Sequence, residues 1–170
     1  MLRQDRFLIG IVAAAVLLVV VAFVVAYRQP PPTYRAEDTP AGVAYNYLLA
    51  LQQQDYERAY GYLSPTLYDY PRSAEEFVDE LTGRGMHGGR LDSVTLDVQS
   101  TDITGDLAVA EVEQTTFTEG GLFESGQYTS PFTMQLRRVD GAWKLVESQD
   151  YWSYCWSQET DRRGCPTGTP

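Results

Sequence analysis

Histidine, lysine and cysteine are scarce in this chain, and each scarcity closes off a kind of chemistry. Of 170 residues, one is histidine (His87), two are cysteine (Cys155 and Cys165), and Lys144 is the only lysine. Two thiols and one distant imidazole do not make a tetrahedral ligand set, so no metal site is expected. The chain has no serine–histidine–carboxylate set and no phosphate-cradling P-loop. Gly83 to Gly88 spells GxGxxG, but a dinucleotide fold needs a strand before that motif and a helix after it. Here a helical pattern precedes it and a strand pattern follows, so the glycines read as a helix-to-strand connection. No cofactor is expected. Positive charge is short too. From residue 29 onward 10 Lys+Arg face 22 Asp+Glu, a net of −12. That argues against nucleic acid as a partner and against docking on anionic headgroups. A soluble surface is the plainer consequence of the same charge.

What the chain has in quantity is apolar residues at its start. Residues 7–26, FLIGIVAAAVLLVVVAFVVA, carry no charge and no polar side chain. Twenty residues at a rise of ~1.5 Å each span about 30 Å, the thickness of a bilayer's hydrocarbon core. A buried core helix would need a solvent-facing side, which this run lacks. A cleaved signal peptide fits the Val24-Val25-Ala26 ending, but such h-regions run about 7–15 residues. A retained single-pass anchor over residues 7–27 is the favoured reading. Arg3 and Arg6 precede it and Arg28 and Arg35 follow it, so flanking charge is nearly balanced. A six-residue stub with nothing folded before it favours a cytoplasmic N-terminus, with the remainder extracytoplasmic at the cell membrane. In that oxidising setting Cys155 and Cys165 read as a disulfide, which would contribute about 3 kcal/mol; free thiols are the alternative.

Residues 28–38, with three consecutive prolines, read as a stiff spacer. The domain then starts at residue 39. Thr39 and Pro40 suit an N-cap and first helical position, and Ala44, Tyr47, Leu48 and Leu51 fall on one helical face. Asp55 caps a second helix with Tyr56, Ala59, Tyr60 and Leu63 as its stripe, ending at Ser64-Pro65. Ser73 and Glu76 form a capping box for a third, with Phe77 and Leu81 inward. After residue 90 the pattern is strand. Val94, Leu96 and Val98 alternate, 102–106 reads as a turn, and a second strand runs from Leu107 to Phe117. Tyr128, Ser130, Phe132, Met134 and Leu136 alternate again, with Pro131 marking an edge or bulge. Asp140-Gly141 signals a tight hairpin, and Trp143 and Leu145 share a face beyond it. Helices first and an antiparallel meander after make this an α+β fold.

Asp55-Tyr-Glu-Arg-Ala-Tyr60 and Asp140-Gly-Ala-Trp-Lys-Leu145, in this order of elements, resemble the nuclear transport factor 2-like superfamily. They are especially similar to small bacterial lumazine-binding-like domains that follow an anchor. The resemblance covers residues 39–152 and rests on structural motifs. It implies a cone, with about three helices packed on a curved antiparallel sheet and often a cavity at the open end. Members include isomerases, dehydratases, ligand binders and assembly proteins, so fold alone sets no function. Candidates to line such a cavity are Tyr47, Tyr60, Glu111, Glu113, Tyr128, Phe132 and Trp143. Glu111 and Glu113 share a strand face, where crowding could raise one pKa; a solvent face, or pairing with Arg137 or Arg138, is the plainer reading. The aromatic run 151–156 must fold back over the sheet or stand as an exposed protein-binding patch. With no catalytic set, the expected function is a membrane-tethered binding or scaffold domain, with a cell-envelope protein or a second copy as partner. The alternative is a small-molecule binder or an isomerase- or dehydratase-like enzyme.

Overall fold

The computed structural model describes residues 2–28, 31–83, 94–119 and 125–157. His87 and Cys165, and all but the first residue of the Gly83–Gly88 motif, lie outside the described residues. The chain divides into two units, Met1–Thr33 and Tyr34–Pro170. The first holds one helix, α1 (Leu2–Tyr27), 26 residues long. Its side chains are described for residues 8–24 and for Tyr27, and all of them are exposed. Taken over the described residues, no helix is long and apolar enough to cross a membrane.

The second unit is α+β. Three helices, α2 (Pro40–Gln52), α3 (Tyr56–Gly61) and α4 (Ala74–Gly83), pack with one four-stranded antiparallel sheet. Its strands are β1 (Val94–Thr104), β2 (Leu107–Glu119), β3 (Ser125–Val139) and β4 (Ala142–Ser148), side by side in that order. The helix starts follow from their caps. Thr39 Oγ1 accepts from Gly42 N at 3.1 Å and Asp55 Oδ1 from Arg58 N at 3.3 Å. At α4, Ser73 Oγ accepts from Glu76 N, but the Glu76 carboxylate takes the amide of Arg72 rather than Ser73. The reciprocal half of the box is thus displaced by one residue.

Asp140 and Gly141 both take positive φ, 50° and 85°, which makes the β3–β4 link a two-residue turn whose twist suits a hairpin. The first hairpin departs from the sequence reading. Ile103 pairs with Ala108 and Thr104 with Leu107, so the strands run through most of the expected 102–106 turn and the link is Gly105-Asp106. Gly105, at φ 62°, supplies the conformation that lets two long strands reverse so tightly. Pro131 pairs with Glu113 of β2, and β4 reaches only as far as Met134, so the missing amide faces no strand.

The inner face of the sheet carries Leu96, Ala108, Ala110, Val112, Phe132, Met134, Leu136, Trp143 and Leu145, all buried. Against them lie Tyr47, Leu48 and Leu51 of α2 and Phe77 and Leu81 of α4. The rest of the space is filled from the C-terminal end. Tyr151, Trp152, Cys155 and Trp156 belong to the same core. Trp156 stacks on Phe77 at 5.4 Å, Trp152 meets it edge-on at 4.9 Å, and Tyr151 meets Phe132 at 5.8 Å. The aromatic run is therefore core, not an exposed patch. No described cysteine is free.

Helix α2 is buried on more than the one predicted stripe, and the strap before it is part of the reason. Asn46, fully buried, accepts from Arg35 N at 2.7 Å and donates to Arg35 O at 2.8 Å. A Cβ on Gly42 would overlap the carbonyl oxygen of Ala36. Residues 34–38, read as spacer, lie within the compact unit.

Two outcomes test this packing. Asn46→Ala leaves the backbone N–H and C=O of Arg35 without their partner, and about 1–3 kcal/mol of stability should be lost in urea unfolding. Faster amide exchange at Arg35 should accompany it. Glu80, which accepts the indole N–H of Trp156, has its pKa raised, first by burial, then by Asp69 and Glu76 acting against the relief from Trp156. A carboxyl raised in the folded state favours folding at low pH, and that advantage fades as pH climbs past its unfolded value near 4.5. Glu80→Gln keeps the acceptor and removes the charge. Relative to wild type, its thermal stability should gain between pH 4.5 and 7, by roughly 0.5–1 kcal/mol once solvent on the exposed half is allowed for. An equal pH dependence of the two proteins would contradict the assignment.

Candidate functional site

The best-organised polar cluster lies where the strap crosses α3. Arg58 and Tyr62, four residues apart at the end of α3, point the same way. Arg58 Nη2 donates to Glu37 Oε1 at 2.9 Å and Arg58 Nε to the Tyr62 hydroxyl at 2.9 Å. The Tyr62 hydroxyl donates in turn to the same Glu37 oxygen at 2.7 Å. The guanidinium also lies 3.5 Å over the ring of Tyr34, whose hydroxyl reaches Asp55 at 3.3 Å. Lys144 Nζ donates to Gly61 O at the far side. Glu37, Arg58, Tyr62 and Lys144, with Val43 and Trp143, border an open notch of about 330 Å³.

The electrostatics of the cluster are those of a lock. The Tyr62 hydroxyl, and then Arg58 and Lys144, hold the Glu37 carboxyl below its ordinary range, with burial opposing. Arg58 is held more firmly protonated, chiefly by Tyr62 and then by Glu37. Burial raises Tyr62. A general base works best with a pKa near the operating pH, and Glu37 is shifted away from it. The arrangement can bind and orient; it is poorly matched to carrying protons. Burial, with Asp150 adding, pushes Tyr151 up to about 12, so it too keeps its proton at neutral pH.

The residues singled out from sequence do not converge on one cavity. Tyr47 and Phe132 are both buried and meet through Tyr151: the Tyr47 hydroxyl donates to Tyr151 O at 2.7 Å, and Phe132 packs on the Tyr151 ring. Trp143 is buried, with Arg138 4.7 Å over its ring. Tyr60 is half-buried between Tyr70 and Phe77 and donates to Pro71 O at 2.8 Å. Glu111 and Glu113 share a face as the alternation requires, but it is the exposed one, where Glu111 accepts from Ser100. Tyr128, on the inner-face register opposite Thr116, is 65 % exposed. A second open groove, about 280 Å³, runs past Thr66, Gln135, Arg137, Glu147 and Ser157. Among the described residues no cluster of His, Cys, Asp or Glu could hold a metal ion.

Sequence reasoning missed Glu37, Asn46, Arg58, Tyr62 and Glu80 as partners in these networks. Two left a signal. Asn46 is a lone amide inside an apolar helical run, which calls for a specific partner. Arg58 and Tyr62 stand at i, i+4. Nothing local marks Glu37, since its partners lie 21 and 25 positions away.

No family model matches the chain, and no curated protein matches it. Among solved structures it is similar to RPA3114, a SEC-C motif containing protein from Rhodopseudomonas palustris. The identity is 15 %, the match covers 68 % of this chain and 81 % of that one, and the TM-score is 0.45. It is also similar to an NTF2-like protein with a cystatin-like fold from Novosphingobium aromaticivorans, at 15 % identity over 64 % and 75 % of the two chains, TM-score 0.44. Rv3472, a protein of unknown function from Mycobacterium tuberculosis, matches at 16 % over 62 % and 64 %, TM-score 0.41. Likeness at this level concerns the path of the chain and assigns no activity.

Proposed function

We propose that this chain is a membrane-tethered, extracytoplasmic binding or scaffold domain of the nuclear transport factor 2-like type, acting without catalysis. The observation that carries the reading is the filling of the space between helices and sheet by the chain's own Tyr151, Trp152 and Trp156. A cone used for catalysis needs a carboxylate facing an apolar cavity. Here Glu111 and Glu113 face solvent, and Glu80 is engaged by the Trp156 indole. What remains outside is an acidic surface with shallow notches, suited to contact with another macromolecule of the cell envelope.

Membrane attachment rests on α1. Its 26 residues include the apolar run 7–26, and the described apolar side chains from Leu8 to Val24 are all exposed. No helix of the described residues is long and apolar enough to cross a membrane; the reading is supported by the sequence run 7–26, whose 20 apolar residues match the hydrocarbon core. The N-terminus is placed in the cytoplasm and the domain outside. The second cysteine follows from the same setting. Cys155 is not free, the sequence offers Cys165 as a partner within the chain, and an oxidising compartment would sustain a bond between them.

The experiment is fractionation. Alkaline carbonate should leave the chain in the membrane pellet and detergent should release it. Protease added outside intact spheroplasts should digest the domain, and without reductant neither thiol should take up an alkylating mass. Release by carbonate would remove the anchor; a protected domain with two free thiols would turn it to the cytoplasmic side. For the partner, crosslinking before detergent extraction should shift the chain to a larger species. Recovery of the bare monomer in every condition would count against a scaffold role.

A further inference from the structure

The C-terminal segment enters the core through a strained turn. Tyr151 has φ 57°, the left-handed region, which is a true outlier for a bulky side chain and persists only where the surroundings hold it. Up to Gln149 the backbone is still tied to β3, with Gln149 N donating to Thr133 O at 3.1 Å. Beyond Tyr151, backbone bonds are local: Trp156 N to Ser153 O and Ser157 N to Tyr154 O. The described hydrogen bonds that join the segment to the domain use side chains. The Tyr47 hydroxyl donates to Tyr151 O, the Tyr151 hydroxyl to Gln114 Oε1 at 2.8 Å, and the Trp156 indole to Glu80. The apolar part of the seat is Phe132 under Tyr151 and Phe77 under Trp156. Each of these contacts is equally good whichever copy supplies the seat.

We propose that residues 151–157 exchange between two copies of this chain, each filling the core of the other in a two-fold symmetric dimer. Opening the hinge lets Tyr151 leave the left-handed region for extended backbone. The exchanged dimer keeps the stacking on Phe77 and the bonds to Gln114, Tyr47 and Glu80 while shedding the strain; the monomer keeps only the entropy of separation. Short hinges under strain favour this exchange. Protein concentration during folding then decides the outcome.

The test uses the full chain in detergent, unfolded in urea, refolded at low and at high protein concentration, and sized by light scattering. Refolding at high concentration should yield a dimer that persists for hours after dilution, because return requires the core to open. Inserting Gly-Ser-Gly between Asp150 and Tyr151 relaxes the hinge and leaves every seat residue in place, and should lower the dimer fraction by about tenfold. Co-refolding Phe77→Ala with Trp156→Ala identifies the exchanged element. Only exchange of the segment restores an intact Trp156–Phe77 stack in the mixed pair, so heterodimers should exceed the statistical share. A chain that stays monomeric at every concentration overturns the proposal. So does a mixture at the statistical share, which is what a dimer built on any other surface gives.

Discussion

The hydroxyl of Tyr47 donates to the backbone carbonyl of Tyr151, joining the first helix of the domain to the turn that follows β4 across 104 positions of sequence. Both residues are fully buried. A phenol in such a place must find an acceptor, since leaving it unpaired costs about 1–3 kcal/mol, and a carbonyl in a turn has no strand to pair with. Each group satisfies the other. Because the bond fixes Tyr151, it also fixes what Tyr151 holds: Phe132 against its ring, Gln114 at its hydroxyl, and the reversal that sends Trp152 and Trp156 inward. The left-handed φ of Tyr151 is tolerated because this set of contacts over-determines it.

The strap repeats that logic one residue earlier on α2. Asn46 is buried and pairs both ways with the backbone of Arg35, so α2 is clamped by a side-chain hydrogen bond to the chain before it and by another to the chain after it. Polar groups of this kind contribute little net stability where they are satisfied and impose a large cost on any other arrangement. They fix which segment lies where, while the apolar residues around them supply most of the driving force. The domain thus draws both its preceding strap and its following segment into one packed unit.

Local chemistry was readable in the sequence wherever a few adjacent residues decide it. The caps at Thr39 and Asp55 and the Asp140-Gly141 turn follow from side chains acting within four positions of themselves. The alternation that put Glu111 and Glu113 on one face was equally legible. Which face meets solvent was settled by the partners of that face: Ala110 and Val112, small and apolar, point to the helices and leave the carboxylates outside. The β1–β2 turn was misplaced because Asp102 and Thr104 look like turn residues, yet pairing of Ile103 with Ala108 extends the ladder past them. Ladder bonds across two long strands outweigh the weak turn preference of single residues.

What could not be read were contacts between distant segments. The composition of 28–38 gave no reason to separate its prolines from Tyr34-Arg-Ala-Glu37, and only the partners Asn46, Arg58 and Tyr62 draw that line. For a chain tethered as proposed, the consequence is mechanical. A load arriving from residues before Tyr34 meets, in order, the Tyr34–Arg58 ring contact, the paired Asn46 amide and the Glu37 carboxylate on Arg58 and Tyr62. The first and last are partly solvated and screened by salt, so they yield at little cost. The Asn46 side chain is buried although Arg35 is not, so breaking the pair leaves a buried amide unsatisfied. Any pull on the strap is thus borne chiefly by one asparagine on α2, and α2 packs against all four strands, so the load passes into the core before it can strip the strap from the surface.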